Sequence, residues 1–84
     1  MRTITIKYRA GATNDMGDNV GGLEQEWGTN NRTGGVFSRK RDGSWQQHTG
    51  TAQTPTFRSP AQFRDYLRSH FEIRDARITG QDGW

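Results

Sequence analysis

The sequence predicts a small α+β fold: an antiparallel sheet of about four strands with one helix packed on one face, in the order β-ββ-α-β. Three observations predict it. Residues 2–9 alternate strictly, residues 36–49 alternate on either side of an Asp-Gly pair, and a single helical stripe follows a well-formed cap at Ser59. With 84 residues, the expectation is one domain over 1–84.

In RTITIKYR, Ile4, Ile6 and Tyr8 point one way and Thr3, Thr5, Lys7 and Arg9 the other, which marks a strand with one buried face. Residues 10–35 are rich in Gly, Asn, Asp and Thr. Within them Leu23 to Trp27 alternates weakly, and the pattern leaves a short strand and a helical turn both open. A connection this long without structure of its own is unusual, so local order or a binding role is expected there. In VFSRKRDGSWQQHT, Asp42-Gly43 suits the centre of a two-residue type I′ turn, which needs φ > 0 at both positions. That turn pairs Lys40 with Trp45, Ser38 with Gln47 and Val36 with Thr49. It puts Val36 and Trp45 on the core side, and Phe37, Arg39, Arg41, Ser44, Gln46 and His48 on a wet, basic one.

Gly50 to Pro55 reads as a loop. Ser59 as N-cap, Pro60 at the first helical position and Gln62 closing a capping box start a helix. Phe63, Tyr66, Leu67 and Phe71 form its inward stripe, while Arg64, Asp65, Arg68 and Ser69 face water. A last strand is expected over Arg74 to Thr79, with Ala76 and Ile78 on one face.

Composition narrows the function. Leu, Ile, Val and Phe together number twelve, below the ~20% level associated with disorder. Net charge is only +3 and nine residues are aromatic, so a folded domain with a meagre, ring-rich core is expected. A chain of this size buries only about 60–65% of the surface its unfolded form exposes. The absence of cysteine excludes a disulfide framework, a thiol nucleophile and thiolate metal sites. No apolar run approaches membrane-spanning length, and Met1-Arg2 leads straight into a strand, so a cytoplasmic location is expected. No cofactor or metal is expected. Residues 14–19 offer oxygen ligands without the spacing of a calcium loop.

Ten arginines stand against two lysines. The planar guanidinium suits bidentate contacts to phosphate or carboxylate and stacking on rings. Phe37, Arg39, Lys40, Arg41 and His48 on the hairpin, with Arg64 and Arg68 on the helix, form a candidate nucleic-acid surface; Arg74 and Arg77 add charge on the last strand. The competing reading is solubilising charge. His48 and His70, with Glu24, Glu26 or Glu72 as base, make a small ribonuclease conceivable, although nothing in the spacing fixes either imidazole beside a carboxylate. For protein binding the anchors are Trp27, Arg32, Arg39, Arg41 and Trp45, because Trp and Arg dominate interface hot spots. An exposed Trp27 within a polar rim and a Trp27 folded back over the sheet weigh equally.

In size and organisation the chain resembles the small proteins that bacteriophages and mobile elements encode as anti-CRISPR inhibitors. The strand RTITIKYR beginning at the first residues, the short hairpin VFSRKRDGSWQQHT, the capped helix SPAQFRDYLRSHF and the large polar loops carry the resemblance, which is architectural and rests on no shared motif. It implies a non-enzymatic protein that binds a host protein or ribonucleoprotein and blocks it. Many such inhibitors are acidic mimics of DNA, whereas this chain is basic, so direct blocking of a surface or groove is implied instead. The alternative is an RNA- or DNA-binding module. Monomer and homodimer are both compatible with so thin a core.

Overall fold

The computed structural model describes residues 1–13, 17–49, 55–71, 73 and 76–84. Five strands, β1 (Arg2–Tyr8), β2 (Glu24–Asn30), β3 (Gly34–Arg39), β4 (Trp45–Thr49) and β5 (Ala76–Asp82), surround one helix in sequence, α1 (Pro60–Phe71), placed between β4 and β5. They make one antiparallel sheet in the order β4-β3-β2-β1-β5. The first four strands form a meander. The chain then crosses one face as α1 and returns β5 to the far side of β1. This is the α+β architecture expected, with a fifth strand.

The fifth strand is β2, which settles the open reading of residues 23–27. Its alternation is weak because Gly28 and Thr29 are buried alongside Trp27, so no clean in-out pattern survives. The connection before it is ordered by backbone bonds. Tyr8 N–H donates to Leu23 O (3.0 Å), Gly22 N–H to Tyr8 O (2.9 Å) and Val20 N–H to Ala12 O (2.9 Å), extending the β1–β2 ladder into the loop. Gly21 lies where its missing side chain matters, since a Cβ would sit 2.6 Å from Gly11 N and 3.2 Å from Arg9 O. Gly21→Ala is expected to destabilise the protein by about 1–3 kcal/mol, because backbone on both sides must move. A lowered urea midpoint at unchanged m-value checks this.

The hairpin differs from its expected register. Lys40 N–H donates to Ser44 O (2.8 Å) and Gly43 N–H to Lys40 O (3.0 Å), which encloses a three-residue turn, Arg41-Asp42-Gly43. Gly43 takes φ +89°; a type I turn completed by a left-handed residue uses this one glycine instead of two positive-φ positions. Trp45 therefore pairs with Arg39, Ser38 with Gln46 and Phe37 with Gln47, and an irregularity then restores Val36 opposite Thr49. A slip of one residue exchanges the faces of a strand. Trp45 moves to the side away from the helix and His48 to the helix side, the reverse of the expectation for both. Val36 stays in the core, fully buried.

The helix starts as its sequence dictates. Gln62 N–H donates to Ser59 Oγ (3.2 Å), and the Gln62 side chain accepts from Arg58 N–H (2.8 Å), one residue ahead of the cap. Phe63 and Leu67 are fully buried against Ile4 and Ile6, with Tyr8, Trp27, Phe57 and Ile73 completing the core. Tyr66 and Phe71 pack at its margin. Arg2 donates to Phe57 O and lies 5.5 Å from the Trp84 ring, whose N–H donates to Thr3 O (2.8 Å). The last strand spans Ala76–Asp82, three residues beyond the expected end at Thr79; Arg74, where it was expected to start, lies outside the described residues, as do Glu72 and positions 50–54, expected as a loop.

Candidate binding surface

Only one face of the sheet carries the helix. The other is built by the alternate residues of each strand: Thr3, Thr5 and Lys7 of β1, Glu24, Glu26 and Gly28 of β2, Phe37 and Arg39 of β3, Trp45 and Gln47 of β4. At its centre is Gly28, buried although it lacks a side chain. A Cβ there would meet the Met1 thioether (2.5 Å to Sδ) and the Trp45 ring (3.2 Å to Cη2), so these two side chains close over the strand in place of one. A glycine inside a strand signals such a close approach, and Gly28 is the sequence signal that could have placed Met1 on this surface.

Next to them stands an ordered cation. The Arg39 guanidinium lies 4.4 Å from the Trp45 ring centroid, donates to Glu26 Oε1 (2.7 Å) and to Gly43 O (2.8 Å). Ring stacking, ion pairing and a turn carbonyl together hold one rotamer of a side chain that is otherwise costly to order. Trp45 remains half-buried, and Arg39 keeps 40% of its side chain exposed. The turn beside them is braced by Asp42, whose carboxylate accepts from the Ser44 hydroxyl (2.6 Å) and backbone N–H (2.9 Å). Those bonds, the hydroxyl first, hold the Asp42 carboxyl below its usual range. Its contribution is present above the ordinary carboxylate pKa and lost as pH falls through the lowered value.

The expected protein-binding residues are not brought together as a set. Trp27 is 5% exposed and belongs to the core, so the surface anchor expected there is a packing residue. Arg32 is exposed in the β2–β3 turn, where Asn30 Oδ1 accepts from its backbone N–H (2.9 Å); β3, about 20 Å long, separates it from the other hairpin end. Arg39 and Trp45 are adjacent, and Arg41 is exposed at the tip beyond them.

The nucleic-acid set is divided between the two sides of the sheet. Phe37 and Arg39 lie on the open face, and Lys40 and Arg41 in the turn. His48 is on the helix side, where its Nε2 is 2.7 Å from Ser38 Oγ and its ring 5.1 Å from that of Trp27. Arg64, paired with Asp65 (3.2 Å), and exposed Arg68 sit on α1. The open face itself mixes Lys7, Arg39 and Arg77 with Glu24, Glu26 and Asp82, unlike the single-sign groove that follows a phosphate backbone. Ser38 is 5% exposed while His48 is exposed, so their bond is part-buried, at the margin of the fold. His70 stacks on Tyr66 at 4.0 Å. The Glu72 suggested as a base and the oxygen-rich positions 14–16 lie outside the described residues. Among the described residues no cluster of three metal-ligating side chains occurs, and no helix is long and apolar enough to cross a membrane.

No protein-family model, curated protein or solved structure matches this chain.

Proposed function

We propose that this chain is a non-enzymatic binding protein that attaches through its open sheet face to a protein or ribonucleoprotein surface of a larger host macromolecule and blocks it, in the manner that the anti-CRISPR resemblance implies. The observation that carries the reading is the Trp45–Arg39–Glu26 cluster, a ring and a cation fixed in place on a face the fold leaves uncovered. Hot spots draw on these two residue types, and anchors ordered before encounter lose little entropy on binding. Met1 and Phe37 supply apolar contact beside it, and the mixed charges around it suit a protein rim. The commitment of Arg39 to Glu26 weighs against phosphate as its partner. The proposed setting is the host cytoplasm.

The test is capture of the tagged protein's partner from host lysate, run with and without nuclease and repeated with Trp45→Ala and Arg39→Ala. Expected is a stoichiometric protein that survives nuclease and whose affinity falls at least about tenfold for each variant, at unchanged circular dichroism. Capture that both variants retain removes the open face as the site. Capture that requires intact nucleic acid moves the function to a nucleic-acid module.

A further inference from the structure

A cleft of about 430 Å³ opens at the margin of the covered face, where β1 ends, β2 begins and the β3–β4 turn projects, next to the C-terminal end of α1, with Glu24 and Arg39 of the open face at its rim. Its volume falls within the roughly 300–1,000 Å³ typical of small-molecule sites. Tyr8, Trp27, His48 and Phe71 are among its lining residues. Three of these rings form one wall: Trp27 to His48 at 5.1 Å, Trp27 to Phe71 at 5.5 Å and His48 to Phe71 at 5.5 Å. Such a wall takes a flat apolar group by offset or edge contacts.

Charge at the same cleft is specific in sign. Arg39 reaches it but is neutralised by Glu26. Arg41 and Glu24 also line it, both exposed, and neither makes an ion pair among the described residues, with the other or with a third group. A ring wall flanked, among the described residues, by one cation and one anion without an ion-pair partner is complementary to a dipolar molecule that carries a ring. We propose that the cleft binds a free aromatic α-amino acid, its side chain against Trp27, His48 and Phe71, its carboxylate toward Arg41 and its ammonium toward Glu24. The cleft shares Arg39 with the open-face cluster at its rim, and the assignment does not depend on the binding function proposed for that face.

Calorimetric titration with L-phenylalanine, 3-phenylpropionate and 2-phenylethylammonium tests the assignment, because each analogue deletes one of the two charges. L-phenylalanine is expected to bind at least about tenfold more tightly than either. Arg41→Gln should reduce L-phenylalanine to the level of 2-phenylethylammonium and leave the latter unchanged; Glu24→Gln should do the same with respect to 3-phenylpropionate. Arg32→Gln, which removes an exposed arginine in the β2–β3 turn at the other end of the hairpin, should leave all three affinities as they were. Affinities within about twofold of one another, L-phenylalanine binding indifferent to both charge variants, or no heat from any probe at millimolar concentration would overturn it.

Discussion

Replacing Trp27 by alanine is expected to destabilise the protein by about 3–5 kcal/mol, enough to leave a chain of this size largely unfolded or nearly so. The ring stands on the covered face of β2, directly opposite Ile4 in the β1–β2 ladder and opposite Ser38 in the β2–β3 ladder. It packs against His48 and Phe71. Its removal opens a cavity near the end of α1, between Phe71 and His48. Trp27→Phe should cost much less. It keeps a ring at the site and deletes an indole N–H that is buried without a hydrogen-bond partner among the described residues. Urea unfolding followed by far-ultraviolet circular dichroism distinguishes the two. A midpoint for Trp27→Ala equal to that of the unaltered protein would show that the ring does not support the sheet.

Phe63→Ala should be comparably severe, about 3–5 kcal/mol, for a different reason. Phe63 is the largest of the fully buried side chains. Its ring contacts Phe57 at 5.0 Å and Trp84 at 6.1 Å, so it joins the segment before α1 to the residue after β5. Losing it loosens the helix and the last strand together. Amide hydrogen exchange should then show lost protection in α1 and β5 beyond the loss in β2 and β3. Uniform loss across all five strands would mean that the helix is not a separable attachment.

Much of the fold was legible because local chemistry and tertiary demand agree where the signals are strong. The alternation of residues 2–9 and the Ser59–Pro60–Gln62 cap each specify an element without help from distant contacts, and β1 and α1 stand where those patterns put them. The last strand was legible in kind but not in its end. The hairpin was legible as a hairpin but not in its faces, because Asp-Gly serves both a two-residue and a three-residue turn. One residue of difference decided which of Trp45 and His48 stood on the helix side. The candidate surface suffered most from this. Arg39 and Trp45 were recognisable as residue types suited to binding, yet their stacking depends on the register, and the carboxylate that fixes Arg39 comes from β2, whose existence the sequence left open. Trp27 illustrates the converse. Its polar neighbours in sequence left an exposed and a folded-back position equally open, and the strand pairing on both sides decides its burial.

The sheet order has a consequence for synthesis on the ribosome. β1 is an interior strand whose outer partner is β5, with Thr3 opposite Asp82 and Lys7 opposite Arg77. β1 thus waits for β5, and its second hydrogen-bonding edge stays open while the intervening chain is made at about 5–20 residues per second. The β1–β4 meander can pair during that interval, but the apolar row of Ile4, Ile6 and Tyr8 has neither helix nor β5 to cover it. A nascent chain arrested before α1 would present an unguarded edge beside an uncovered core, the arrangement most prone to pairing with a neighbouring chain. Docking of α1 and β5 is therefore the step at which this fold passes from a sticky intermediate to a protected state.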